Sequence, residues 1–309
     1  GDREVGRSLL SSASTIGSDE ERRHVLSAVL TSGGIDREIP VEALRLAAAI
    51  GSDEEKAAVL IQAAPRFVDT DMARRAFFDA AGSIGSDDQR HKVLSAVLKR
   101  TGISDATLAA VATSAKAMGS DEEKAGVLVE MATGSLQSPV ARTAFFEAAN
   151  TIGSDDERKR VLRLVARRTG SSAETAIEVA KSAKAMGSDV DKAAVLAELA
   201  GSSFQDERLG EAFFAAVDSI GSDDERGKVL SAVLNRRGVS KEVVIRVIES
   251  AARVPSDEIK TRVLAQAIGA SLVDPQVRTA FQKALESIQS DGEYRRLMSA
   301  MSKSGAEAH

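Results

Sequence analysis

Nine aspartates fall in one column of this sequence: Asp19, Asp53, Asp87, Asp121, Asp155, Asp189, Asp223, Asp257 and Asp291, each 34 residues after the last. Acidic neighbours accompany many of them, as in Asp53-Glu54-Glu55 and Asp87-Asp88. Such carboxylates could hold divalent cations, which take oxygen ligands. The pattern around them argues otherwise. A serine precedes each of the nine, and the glycine-separated ligands of a calcium loop are missing. Three residues beyond each Asp stands a cation (Arg22, Lys56, Arg90, Lys124, Arg158, Lys192, Arg226 or Lys260), until Tyr294 breaks the series. Acid and base at i, i+3 face each other on one helix or between stacked helices. The column therefore reads as a structural ladder, with no metal and no cofactor.

Other reactive residue types are sparse. The histidines are His24, His91 and His309; the first two sit at non-equivalent repeat positions on charged faces, without an evident metal partner. Cysteine is absent, which excludes disulfides, thiolate metal sites and a cysteine nucleophile. No nucleophile, base and orienting acid recur together, and neither Gly-x-x-x-x-Gly-Lys nor Gly-x-Gly-x-x-Gly occurs. The chain is expected not to be an enzyme.

Two features could bind rather than react. Arg158, Lys159, Arg160, Arg163, Arg167 and Arg168 form the densest charge cluster, and Lys159, Arg163 and Arg167 repeat at i, i+4, i+8 as one helix stripe. That stripe suits an anion or an acidic partner; the alternative is a solvated face balanced by Asp155, Asp156 and Glu157. The second feature is apolar: Ala57 and Ile61, Ala125 and Val129, Ala193 and Ala197, Thr261 and Ala265 occupy one register position after another. It could line a groove for an apolar segment, or let neighbouring helices approach closely.

The elements that position these residues follow from the repeat. The serines at 18, 52, 86, 120, 154, 188, 222, 256 and 290 start helices as the first member of a Ser-x-x-Glu capping box. In that box the serine accepts an amide bond and the Glu reaches back to the serine amide. Ser188 has Asp191 and Ser256 has Ile259 in the Glu position, so weaker starts are expected there. A second set of cap residues begins an earlier helix in each repeat, at 2, 36, 70, 104, 138, 172, 206, 240 and 274, with Pro139 and Pro275 at first helical positions. Each repeat is thus helix A, turn, helix B. Apolar spacing agrees, with Phe77, Ala80, Ala81 and Ile84 on one face of an A helix and Val93, Leu94, Val97 and Leu98 on one face of a B helix. One hairpin cannot bury such a stripe alone, whereas stacked neighbours share a core. The expected fold is all-α: an α-solenoid of nine 34-residue hairpins forming a single domain over 1–309.

Odd and even repeats differ, which makes a 68-residue super-repeat. Odd A helices carry Leu9-Leu10, Phe77-Phe78, Phe145-Phe146, Phe213-Phe214 and Phe281-Gln282, where even ones carry smaller residues such as Val111-Ala112. Odd B helices carry Arg23-His24, His91-Lys92, Lys159-Arg160 and Gly227-Lys228 just before Val-Leu. Three of the four even ones carry small residues, Ala57-Ala58, Ala125-Gly126 and Ala193-Ala194.

Bulk properties narrow the partners. The net charge of −5 gives no global attraction to nucleic acid or anionic membrane, and 3% aromatic content leaves few rings to stack on bases. No apolar run approaches the roughly 20 residues of a membrane span, and no signal peptide is visible. Gly1-Asp2 falls at a repeat boundary, which reads as a piece of a longer protein.

The Asp-x-x-x-x-x-Val-Leu run opening each B helix resembles a HEAT repeat. More closely, "IGSDEEKAAVL" and "IGSDDERKRVL" resemble bacterial Ser-Asp-x-Glu-Lys-x-x-Val-Leu repeats of the kind that follow BlaR-type membrane metallopeptidase domains. The resemblance covers all nine repeats and implies a bacterial, extracytoplasmic accessory solenoid. It carries over no catalytic residue, since His-Glu-x-x-His occurs nowhere in the chain.

The favoured expectation is a non-catalytic scaffold that binds a protein or peptide in a groove of B helices. Lys159, Arg160, Arg163 and Arg167 would supply cations there, and Ala125, Val129, Ala193 and Ala197 an apolar lining. The alternatives are a structural spacer or self-associating domain of a larger protein, and phosphate or nucleic-acid binding through the basic stripe.

Overall fold

The computed structural model of the chain describes residues 2–32, 38–134, 136–168, 172–202, 204–271 and 274–303. Asp36 and His309, singled out above, lie outside them. The described residues form eighteen helices and no strand. The A helices are α1 (Asp2–Thr15), α3 (Glu38–Ala48), α5 (Asp71–Gly82), α7 (Asp105–Lys116), α9 (Pro139–Ala149), α11 (Ala173–Lys184), α13 (Glu207–Val217), α15 (Lys241–Ala252) and α17 (Pro275–Leu285). The B helices are α2 (Asp19–Thr31), α4 (Asp53–Ala63), α6 (Asp87–Leu98), α8 (Asp121–Ala132), α10 (Asp155–Arg168), α12 (Asp189–Leu199), α14 (Asp223–Leu234), α16 (Asp257–Ser271) and α18 (Asp291–Lys303). The chain is therefore an all-α helical-repeat protein. It divides into two compact units, Gly1–Val161 and Leu162–His309, and the division falls inside α10.

Helix starts follow the cap chemistry. Ser52 Oγ accepts the amide of Glu55, Ser86 that of Gln89, and Ser222 that of Glu225. Thr70, Ser104, Ser172 and Ser240 do the same for A helices. Ser138 is different: Pro139 sets the first turn, and the serine makes no side-chain cap bond. The turns at Gly102 and Gly238 hold φ near +70° (68° and 70°), where a side chain would be strained.

In the first unit α2, α4, α6 and α8 stack as an evenly spaced layer, as do α12, α14, α16 and α18 in the second. The A helices are not evenly spaced. An even repeat's A helix packs closely on that of the next repeat, as α3 does on α5, α7 on α9, α11 on α13 and α15 on α17. Contact in the other register, α5 with α7 and α13 with α15, is much sparser. Composition accounts for this. Ala-rich faces such as that of α7 let backbones approach, while the odd repeats supply the volume through Phe77, Phe145, Phe213 and Phe281, all fully buried. Burial of each such ring contributes on the order of 1.5–3 kcal/mol. In the three Phe-Phe pairs the second ring stands edge-on at 5.3 Å, as Phe78 does to Phe77.

Candidate functional site

The aspartate column is built between repeats. The carboxylates of seven of these Asp residues, each at the first turn of a B helix, accept the backbone N–H of the serine that caps the next. Ser52 N–H donates to Asp19 at 2.8 Å, Ser86 to Asp53 at 2.7 Å, Ser120 to Asp87 at 2.6 Å and Ser154 to Asp121 at 2.8 Å. In the second unit Ser222 donates to Asp189 at 2.8 Å, Ser256 to Asp223 at 2.9 Å and Ser290 to Asp257 at 2.7 Å. The preceding amide adds a second bond at Gly51, Gly119, Gly153 and Gln289. The approach is close, since a Cβ at Gly51 would lie 3.0 Å from Asp19 Oδ2, yet Gln289 makes the same bond with its side chain in place.

This geometry corrects the capping-box expectation. The serine's own amide is taken by the Asp of the preceding repeat, not by the Glu three residues on. That Glu faces sideways instead. Glu55 pairs with Arg23 of the preceding B helix, and Glu123 with His91. Ile259 is then no defect in a cap. It packs on Gly227, where a Cβ would lie 2.5 Å from Ile259 Cγ2. Ser256 and Ser188 make the same cap bonds as the other serines, to Ile259 and Asp191 amides.

Seven of the eight cations that follow the Asp column are buried, Arg22 being half-buried. Lys56, Lys124, Lys192 and Lys260 donate to the last carbonyls of the next repeat's A helix, at Ser83, Thr151, Ser219 and Ser287, over 2.7–3.2 Å. Arg90 and Arg158 turn back to their own repeat's A helix, at Gly82 and Ile84 and at Asn150 and Ile152. Helix C-termini offer unpaired carbonyls and negative potential, so both choices place positive charge where it is favoured. Each lysine also faces the Asp of its own helix, at 3.8 Å for Asp53, 3.5 Å for Asp121, 3.6 Å for Asp189 and 2.9 Å for Asp257. Arg22 reaches both its own and the next repeat's A-helix end, at Ile16 and Ala49, and Arg226 reaches the Ser250 carbonyl of the next, so the choice of Arg or Lys does not by itself mark which A helix the cation caps.

Five of the ladder carboxyls, Asp19, Asp53, Asp121, Asp189 and Asp257, are correspondingly acidic. The N–H of Gly51 and then that of Ser52 hold Asp19 below the usual carboxylate value. Burial, the largest single influence on Asp53, Asp121 and Asp189, pushes them up; the amide bonds and the neighbouring cation outweigh it, and all three end lower. Lys260 is the main cause of the depression at Asp257.

The basic stripe is neutralised within the protein. Arg167 grips Glu198 with two bonds, at 3.0 and 3.1 Å, and Arg163 reaches the same carboxylate at 2.8 Å. Bonds from Arg167 and then Arg163 lower Glu198 to about 2. Lys159 pairs with Asp156 at 2.6 Å, and Arg160 with Glu157 at 3.1 Å. The apolar stripe is corrected as a lining. Ala125 and Ala193 are buried, at 0% and 3% exposure, and cannot face a groove. Val129 is half-buried, and only Ala197 of the four is open. Small residues here make room: the His91 ring lies over Gly126, where a Cβ would stand 2.5 Å from it. His91 also faces Glu130 at 3.2 Å, and Ser95 donates to Glu130 at 2.7 Å. Among the described residues no group of three or more His, Cys, Asp or Glu could hold a metal ion, and no helix is long and apolar enough to cross a membrane.

No protein-family model matches the chain, and no curated protein matches it. Among solved structures, it aligns over 96% of its length with 93% of a chain from "Computational Design of Self-Assembling Cyclic Protein Homooligomers", at 13% identity and a TM-score of 0.18. It aligns over 98% of its length with 65% of a "Circular tandem repeat protein with novel repeat topology and enhanced subunit contact surfaces", at 17% identity and a TM-score of 0.20.

Proposed function

We propose that this chain is a non-catalytic scaffold whose repeats serve first as a structural spacer. One observation carries the reading: the charged groups of the repeated motif are used to join repeat to repeat. The Asp column holds the next helix start, the buried cations hold A-helix ends, and the basic stripe is held by Glu198. Noncovalent capture of a protein or peptide by the B helices is the second reading, favoured by the exposed Ile61 and Ala197. Self-association belongs to the spacer reading, and phosphate or nucleic-acid binding would require Glu198 to release its arginines. The motif's likeness to repeats following BlaR-type domains supplies a setting, an accessory solenoid beside a bacterial membrane enzyme.

The test is reversal of Arg163 and Arg167 to Glu, read by thermal melting and by binding of an acidic amphipathic peptide and of a DNA oligonucleotide at low and physiological salt. The spacer reading expects the wild type to bind neither probe and the variant to melt lower, because two carboxylates then oppose Glu198. Salt-dependent binding by the wild type, lost in a variant that melts unchanged, would overturn it.

A further inference from the structure

We propose that the cleft between α13 and α15 is a binding site for a small carboxylic acid with an aromatic or apolar body, and that Arg236 receives its carboxylate. The repeat itself supplies the comparison. In the first unit the turn after α6 carries Arg100, whose guanidinium holds Asp69 through two parallel bonds of 3.0 and 2.7 Å. Two super-repeats later the turn after α14 has the same backbone form, with Gly238 in place of Gly102 and Arg236 in place of Arg100. The position of Asp69 is now Gln205, and that of Val68 is Phe204. The guanidinium remains, and its internal carboxylate is gone.

Arg236 lies over the Phe204 ring, 5.5 Å from its centroid. Burial alone acts on its charge and pushes it down; no carboxylate among the described residues offsets that. A half-buried cation without a counter-charge is costly, and a bound carboxylate would relieve the cost through the bidentate geometry that Asp69 uses. The cleft around it has a volume of about 620 Å³ and is walled by Phe204, Phe214 and Val243. Ligand pockets run from roughly 300 to 1,000 Å³ and combine apolar walls with a few polar groups. The other charges at the cleft are already engaged. Glu207 is largely exposed and lies 3.9 Å from Arg246, while Glu242 bonds its own amide and Ser240 at the start of α15. The sparse packing of α13 on α15 leaves this space open, and Gly210 on α13 adds no side chain to fill it. The site is independent of the spacer reading.

The experiment is calorimetric titration of the full chain with 3-phenylpropanoate and with its neutral amide. The acid is expected to bind, and the amide to bind at least about tenfold more weakly, the worth of one charge-assisted contact. Arg236→Gln should cause a similar loss. Gln205→Asp should restore the internal partner seen at Asp69, raise the melting temperature and abolish acid binding. It keeps the proposal testable if Arg236→Gln fails to fold. Equal binding of acid and amide, no binding of the acid, or undiminished binding in folded Gln205→Asp would each overturn the assignment.

Discussion

The α5–α7 and α13–α15 junctions occupy the same place in the super-repeat, yet they are held differently. At the first, Arg100 is tied to Asp69, Arg90 caps the carbonyls of Gly82 and Ile84, and the His91 ring lies over Gly126 with Glu123 beside it. At the second, Arg236 rests on Phe204 and Arg226 reaches Asp218 and the Ser250 carbonyl. Gly227 sits under Ile259. The last difference is a paired exchange: the ring and carboxylate of His91 and Glu123 become nothing and a branched alkyl in Gly227 and Ile259. Arg23 with Glu55 occupies the same two positions in the first repeats. The same positions thus meet at each B-helix contact while their chemistry changes from an imidazole–carboxylate pair to a branched alkyl on a glycine, with Arg262 where Gly126 stood. The repeat fixes where side chains meet and leaves open what they are.

The largest expected effect separates the two junctions at their cores. Phe213→Ala and Phe77→Ala should each cost about 3–5 kcal/mol, as for other buried rings. Phe213 should cost more, by about 0.5–1.5 kcal/mol for an aromatic pair, because it also meets Phe204 edge-on at 4.9 Å. Urea unfolding of the two variants measures the difference, and a costlier Phe77 would mean that Phe204 adds nothing to the second core.

A smaller effect tests the paired exchange. Gly227→His alone should destabilise by about 1–3 kcal/mol, since its Cβ must displace Ile259. Ile259→Glu alone buries a carboxylate beside a glycine and should also destabilise. Together with Arg262→Gly, which supplies the room that Gly126 gives the His91 ring, they recreate the His91–Glu123 pair, and on that Arg262→Gly background the double variant should be more stable than the sum of the singles by about 1 kcal/mol or more. Simple additivity would show that the two positions do not communicate.

The acid limb of stability separates the ladder from the Glu198 pair. Asp19, Asp53, Asp121, Asp189 and Asp257 all lie lower in the folded chain than their ordinary 3.8. Their stabilisation is complete above that value and is lost as the pH falls through the depressed folded values. Glu198 falls from 4.5 to about 2, so its contribution declines below 4.5 and is gone near the bottom of that window. Asp121→Asn should flatten the decline by one carboxyl's share in a series of pH-dependent urea titrations. An unchanged slope would mean that the Gly153 and Ser154 amides do not distinguish the two side chains.

The helices, their starts and the alternation were legible because they rest on local rules. Cap residues, the 34-residue period and the Phe pairs all act within one hairpin or between neighbours. What the sequence left open was direction. Asp19 on its own reads as a charge at its own helix start, whereas its carboxylate serves Ser52 in the next repeat. Small residues at 125 and 193 fit a groove and a tight contact equally well by composition, and burial distinguishes them. Sequence offers Asp155, Asp156 and Glu157 as counter-charges for the basic stripe but not Glu198, which is 31 residues from Arg167 in sequence and 3.0 Å away in space. Arg236 does not stand out in the sequence because the change that exposes it is an absence, Gln205 where Asp69 stood, visible only when equivalent positions of the super-repeats are compared.

The smallest expected difference is the most exacting for the motif. Ser154 stands before Glu157, and Ser256 before Ile259, so a complete capping box would make the first serine the more valuable. The structure gives the two the same bonds. Ser154 Oγ accepts the Glu157 amide at 3.4 Å and Ser256 Oγ the Ile259 amide at 3.4 Å, while their own amides go to Asp121 at 2.8 Å and Asp223 at 2.9 Å. The Glu side chain has no part in either set. Replacement by alanine removes only the Oγ bond, since the backbone N–H to the preceding Asp is retained. Ser154→Ala and Ser256→Ala should therefore each cost about 0.5–2 kcal/mol, the usual range for a lost N-cap, and agree with one another to within about 0.5 kcal/mol, the ordinary scatter between independent sites. A distinctly larger loss at Ser154 in matched urea titrations would return the Glu to the cap and weaken the account of the Asp column as the partner of the serine amide.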